Sequence, residues 1–213
     1  MDSTRLDSLY KDCAVKLSAS YRKTVFSLKE GKTTAASREF KTFFAPEVKK
    51  LYTETAETAP KIYIDDCNWN EKIKILYITT QKTAVFLEKR DVKNSKAGLE
   101  SLREFFYKLH TDNKINIASD AIYAFRKELN EFPPGKTLTK KQTAILSSLK
   151  SKIFQAAPSE AMKKDKGKFN AEANAWSDAA GRILSRKKID APQIKLLRDS
   201  TEKFYFNYGM DFE

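Results

Sequence analysis

The chain has one histidine and two cysteines, and that scarcity removes whole classes of chemistry. A di-iron site built from paired carboxylate-and-histidine motifs needs more than one histidine, so it is excluded. Cys13 and Cys67 lie too far apart for a local metal clasp or a redox Cys-x-x-Cys, and no Cys-x-x-Cys-His is present to attach a haem. Neither a Gly-x-Gly-x-x-Gly nor a phosphate-loop Gly…Gly-Lys-Ser/Thr occurs, so no nucleotide cradle is visible. No apolar run is long enough to span a bilayer, and Met1-Asp2-Ser3-Thr4-Arg5 lacks the apolar segment of a signal peptide. Glycine and proline number only six each, which disfavours a turn-rich β fold.

What is present favours helices. The chain is 41% apolar and 12% aromatic over 213 residues, enough for a substantial core, and its charged residues are dominated by Lys and Glu. Leu6, Leu9, Tyr10, Cys13, Ala14, Leu17, Tyr21, Val25 and Leu28 keep a spacing of three and four, which predicts a helix over about 4–30 ended by Gly31. Further amphipathic stretches predict helices over 33–58, 71–90, 95–110, 119–130, 139–157, 169–186 and 192–208. Pro46 falls inside the second and predicts a kink or restart. Ser95 is placed to cap the fourth, and Thr139 with Gln142 forms a capping box for the sixth. Lys61 to Asn70 reads as a connector that holds Ile62, Ile64 and Trp69 against the core.

A phrase recurs within this pattern. Arg22-Lys23-Thr24-Val25-Phe26 leads through a polar break to Phe43-Phe44, and Lys82-Thr83-Ala84-Val85-Phe86 leads through a similar break to Phe105-Phe106. Both read as helical hairpins. The expected fold is therefore all-α, an antiparallel up-and-down helical bundle or two stacked bundles. Phe132-Pro133-Pro134-Gly135 is the strongest punctuation and divides a bundle over 1–132 from a basic helical subdomain over 136–213.

No catalytic constellation emerges. His110 sits at a helix end, where an imidazole caps carbonyls or faces solvent. Asp65-Asp66 and Glu54/Glu57 are the only compact carboxylate groups, and neither has a base or metal partner nearby in sequence. The expectation is a protein without enzymatic activity and without a cofactor. Cys13 and Cys67 either remain thiols or form a disulfide across the first hairpin, and a disulfide would imply an oxidising lumen or periplasm.

Charge is the feature that varies along the chain. From Lys136 to Lys188 thirteen basic residues face four acids, and this stretch carries most of the net charge of +12. The basic residues are Lys136, Lys140, Lys141, Lys150, Lys152, Lys163, Lys164, Lys166, Lys168, Arg182, Arg186, Lys187 and Lys188. Such a segment attracts an acidic partner by long-range steering. An acidic protein surface needs only complementary charge and fits most easily. Nucleic acid commonly draws on Arg forks and exposed aromatics, which are scarce here, and an anionic membrane surface needs large apolar residues facing outward. The C-terminal aromatics either wrap back over the core or present Phe206 and Phe212 to a partner.

In architecture and charge alone, the layout resembles small basic helical-bundle subunits that dock on the outside of larger membrane complexes, such as extrinsic subunits of photosynthetic membranes. That resemblance implies a docking or scaffold protein. The alternatives are a nucleic-acid-binding module using the same lysines, and a bundle that holds a cofactor or apolar ligand between its phenylalanine pairs.

Overall fold

The computed structural model describes residues 3–133, 137–186 and 188–212, and every regular element among them is helical. The fold is all-α, as the periodicity predicts. The chain forms two compact units, one running to Ile115 and including Phe212, the other covering Asn116–Asp211.

The first unit contains α1 (Ser3–Lys29), α2 (Thr33–Glu39), α3 (Ala45–Thr55), α4 (Trp69–Glu88) and α5 (Val92–Asp112). Leu6, Tyr10, Cys13, Ala14, Leu17, Tyr21 and Leu28 of α1 are all buried, so its stripe is the spine of this unit. Between α2 and α3 the chain makes a π turn, Phe40–Phe44, closed by the Ala45 N–H donating to the Phe40 carbonyl. Pro46, which cannot donate, follows directly in the first turn of α3, so the ladder changes register just before the residue that would interrupt it. The expected restart is thus a π turn. It buries Phe40 and Phe44 together, stacked at 4.7 Å, and leaves Phe43 54% exposed.

The two hairpins share their turn chemistry. α1 ends with Gly31 at φ +75°, and the Lys32 N–H returns to the Ser27 carbonyl at 2.8 Å. α4 ends with Arg90 at φ 56°, and the Asp91 N–H returns to the Phe86 carbonyl at 3.0 Å. Both are left-handed helix stops, which glycine adopts freely and arginine does not. Arg90→Gly is expected to stabilise the chain by about 0.5–1 kcal/mol, read as a higher urea midpoint at unchanged slope. No change, or a lower midpoint, would mean the Arg90 side chain contributes contacts that outweigh the backbone cost.

Two local expectations need correction. Asp91, not Ser95, caps α5, its side chain accepting from the Asn94 N–H, and Ser95 is buried one turn inside the helix. In the connector, Ile62 and Ile64 are 37% and 60% exposed while Tyr63 is fully buried. Lys61–Tyr63 forms a 3-10 turn, which turns Tyr63 inward where an extended chain would have turned its neighbours.

The phenylalanine pairs meet at the end of the chain. Phe212 stacks on Phe106 at 4.2 Å and lies edge-on to Tyr21 at 5.1 Å and to Phe44 at 6.4 Å. Its backbone N–H donates to Ser18 Oγ at 2.8 Å. Phe212 is fully buried, so as a surface anchor for a partner it is ruled out and the wrapped-back tail is what forms. Where α4 and α5 cross, Gly98 is required by space: a Cβ there would lie 2.4 Å from Thr83 Oγ1.

The second unit contains α6 (Ala118–Asn130), α7 (Lys140–Gln155), α8 (Glu160–Lys164), α9 (Lys166–Leu184) and α10 (Ala191–Tyr208). This unit begins at Asn116, and α6 packs with α7 and α10. Arg198 on α10 donates to the Leu129 carbonyl at 3.1 Å and to the Phe132 carbonyl, satisfying the end of α6. Arg126 pairs with Glu202 at 2.7 Å and lies over the Tyr205 ring at 4.3 Å. Pro134, Gly135 and Lys136 lie outside the described residues. Capping boxes start α7 at Thr139/Gln142 and α10 at Asp190/Gln193, and only the first was expected.

Candidate functional site

The basic residues of the second unit fall into three groups. Lys140 and Lys141 occupy the first turn of α7, exposed, with no acid in that turn. Lys163, Lys164, Lys166 and Lys168 crowd the α8–α9 junction, all exposed, around the Asp165 cap whose side chain accepts from the Lys168 N–H. Lys150 and Lys152 lie further along α7. Gly181 lets α7 approach α9 closely enough that a Cβ there would sit 3.4 Å from the Lys150 ammonium, beside Arg182 in the chain. Arg186 and Lys188 are exposed beyond α9, and Lys136 and Lys187 lie outside the described residues. Phe206 is half-buried on α10.

Most of the described charges in this region have no carboxylate partner. Among the described residues, Lys163 is the one member of the basic region in an ion pair, with Glu160 at 2.6 Å. The first unit is mixed: Lys16, Lys23, Lys32, Lys41, Lys72 and Lys108 each meet a carboxylate, whereas Lys49, Lys74, Lys82 and Lys96 are in no ion pair among the described residues. Four of the unpaired lysines also sit in the first turns of α7 and α9. There the aligned peptide dipoles disfavour cations, by about 0.3–1 kcal/mol each. Folding gains nothing from that placement.

No known protein family, characterised protein or solved structure matches the chain. The function therefore rests on this geometry. Two apolar residues that periodicity did not single out belong to the same unit's surface: Phe154, 49% exposed one helical turn from Lys150, and Leu196, 63% exposed on α10. Each falls one position out of register with a buried neighbour, Ile153 and Leu197, and that offset is the sequence signal for them.

The first unit holds a polar cluster of a different kind. His110 is buried rather than at the surface, 2% exposed, because Tyr10 of α1 reaches its Nε2 at 3.3 Å. Tyr63 donates in turn to the Tyr10 hydroxyl at 2.7 Å, and its ring stacks on Trp69 at 5.1 Å. Asp66 is held beside this chain of hydroxyls by Lys72 Nζ at 2.8 Å, Asn113 Nδ2 at 2.9 Å and the Asn68 N–H at 3.1 Å. Lys72 also donates to Asp112 at 2.8 Å. The result is a clamp that ties the 60–68 connector to α4 and α5. Among the described residues, no three His, Cys, Asp or Glu side chains gather as metal ligands.

Burial alone would raise the Asp66 carboxyl, but its hydrogen bonds from Asn113, Lys72 and Asn68 outweigh that and hold it below the ordinary carboxylate range. Burial alone would lower Lys72, but hydrogen bonds to Asp112 and Asp66 hold it above the ordinary lysine value. The Asp66 contribution is therefore complete above about pH 4 and lost as pH falls through its folded value; that of Lys72 is complete below about pH 10 and lost as pH rises through its own. Asp66→Asn is expected to cost about 1–3 kcal/mol at neutral pH, a difference that narrows in acid once the wild-type carboxyl is protonated. Urea titrations at both pH values check it. A cost that stays constant into acid would mean the charge of Asp66 is irrelevant.

The disulfide is not formed: Cys13 is a buried thiol on α1 and Cys67 an exposed thiol in the connector. The inference of an oxidising compartment, conditional on that bond, goes with it. Burial first, and then its hydrogen bond to Glu47, push the Cys13 thiol up to about 12. One thiol equivalent is expected to react with a disulfide reagent in the native protein and two after denaturation. Two fast native equivalents would contradict the burial of Cys13.

Proposed function

We propose that the chain is a non-enzymatic docking or scaffold protein that binds an acidic protein surface through the basic residues of α7, α8 and α9, as an extrinsic subunit of a larger, membrane-associated complex. The observation that carries this is the set of lysines left without internal carboxylates and placed at helix starts where they oppose stability. Side chains placed where they cost stability point to a role outside folding. An acidic surface repays that cost, since each new ion pair at the α7 and α9 starts removes a repulsion as well as adding an attraction. Among the described residues no helix is long and apolar enough to cross a membrane.

Affinity capture from the source cell, washed at low and at high salt, tests the proposal. A bound acidic protein released by salt and unaffected by nuclease supports it. Recovery of bound material only while nucleic acid is intact would overturn it.

A second function is favoured by Phe154. An exposed ring one helical turn from Lys150 on α7 is the pattern of a stacking platform beside a phosphate contact in single-stranded nucleic-acid binders. That function would show as binding of mixed-sequence RNA with a steep salt dependence, weakened by Phe154→Ala. Only two arginines, Arg182 and Arg186, lie in the basic region, which places it second.

A further inference from the structure

We propose that the outer face of α4 is a self-association surface, on which two copies of this chain pair antiparallel about a twofold axis level with Thr80. α4 carries two seams of heptad spacing. One, Ile73, Leu76, Thr80, Thr83 and Leu87, is buried in the first unit. The other, Ile75, Ile78, Lys82 and Val85, faces outward, with Ile75 56%, Ile78 42% and Val85 44% exposed. α3 flanks this outer seam on one side, where Tyr52 stacks on Tyr77 at 4.9 Å, and α5 on the other, where Asp112 accepts from Lys72 at 2.8 Å. The seam stands open between them. Branched Ile and Val are poor helix formers, and at exposed positions they add little to the packing of their own unit.

The order of residues along the face selects a second copy as its occupant. In an antiparallel pair centred on Thr80, residues equidistant from it meet: Ile75 faces Val85, Ile78 faces Lys82 and Glu71 faces Lys89. The twofold axis makes each of these layers occur twice. On one flank Lys74 and Glu88, equidistant from Gln81, come together. Glu88 is exposed and held by Lys41 within the chain, and Lys74 of the second copy adds a second cation to it. Glu71 and Lys89 are exposed and in no ion pair among the described residues. Lys82 lays its methylene stem on the Ile78 opposite and carries its ammonium to solvent. A lysine in the seam in this way fixes the register while lowering affinity.

Other occupants fit less well. A parallel pair sets Glu71 on Glu71, Lys82 on Lys82 and Lys89 on Lys89, so like charges meet in three layers. A face that carries both signs offers little net attraction to an acidic protein, a phosphate backbone or an anionic membrane. The face spans about 27 Å of helix, which suits a transient pair rather than an obligate one. The net charge of +12 repels a second copy at long range. Salt at about 0.15 M screens that repulsion beyond about 8 Å and spares the close contacts of the seam.

Sedimentation equilibrium of the full chain at about 0.15 M salt tests the surface. The average mass is expected to rise from one chain toward two as concentration rises to about 300 µM. Ile78→Lys, at an exposed position, is expected to weaken association at least about tenfold with unchanged circular dichroism. Glu71→Lys and Lys89→Glu, each alone, put like charges into both end layers and are expected to weaken it about tenfold as well. Mixed in equal amounts, those two variants are expected to regain association, because both end layers of the mixed pair again join opposite charges. A chain that stays monomeric throughout, or association untouched by Ile78→Lys, would overturn the assignment. So would two charge variants that fail alone and do not recover when mixed, since the antiparallel register requires that recovery. A monomeric chain whose capture of another protein is lost with Ile78→Lys would assign the face to that protein instead and likewise overturn it. The seam shares no residue with the basic region, so self-association and docking stand or fall separately.

Discussion

Phe212→Ala is expected to destabilise the first unit by about 3–5 kcal/mol. The side chain is fully buried and is the common neighbour of Tyr21, Phe44 and Phe106. Its removal leaves a cavity walled by three aromatic rings, which relax poorly, so the cavity cost adds to the lost transfer energy. The Arg103 guanidinium lies 5.8 Å from the Phe212 ring, and that buried cation would lose a favourable aromatic face as well. Phe206→Ala, on a half-buried ring, is the control and is expected to cost about 1 kcal/mol or less. Urea unfolding followed through Trp69 measures the loss in the first unit, because Trp69 packs on Tyr63 in that unit's core. A loss below about 1 kcal/mol for Phe212→Ala would mean that the tail is not part of the folded core.

The second large effect is on binding. Reversal of Lys140, Lys141, Lys166 and Lys168 to Glu is expected to lower affinity for the acidic partner by about a hundredfold or more, since each reversal turns an attraction into a repulsion across the interface. The same change is expected to raise thermal stability, because acids in the first turns of α7 and α9 suit the helix dipole that the lysines oppose. Opposite movement of binding and stability is the useful signature. A merely structural role for these residues would move both in one direction. A solubility role would leave binding untouched and show only as aggregation near neutral net charge.

Much of the helical layout was legible because it is local. Stripe spacing, Gly31 and the Thr139/Gln142 box are each decided within a few residues, and the helices start and stop close to where those signals lie. The shortfalls are long-range. Arg198 reaches the Leu129 carbonyl of α6 from 69 positions away and the Phe132 carbonyl just beyond it, contacts that punctuation by Pro and Gly does not reveal. In sequence His110 reads as a helix cap or a surface residue, because its partner, Tyr10, lies 100 positions away. Ile62 and Ile64 were placed inward because alternation assumes an extended chain, and a single 3-10 turn reverses it. The basic region was legible as composition, but composition could not show that most of its described lysines have no carboxylate partner.

Affinity capture with wild-type chain and the fourfold charge-reversed variant side by side, after melting temperatures are matched or ordered, tests the central claim most directly. The expected result is an acidic protein bound by the wild type at low salt, released at high salt, insensitive to nuclease and lost from a variant that melts no lower. Capture that survives all four reversals in an otherwise folded variant would contradict the assignment of the basic surface as the docking face.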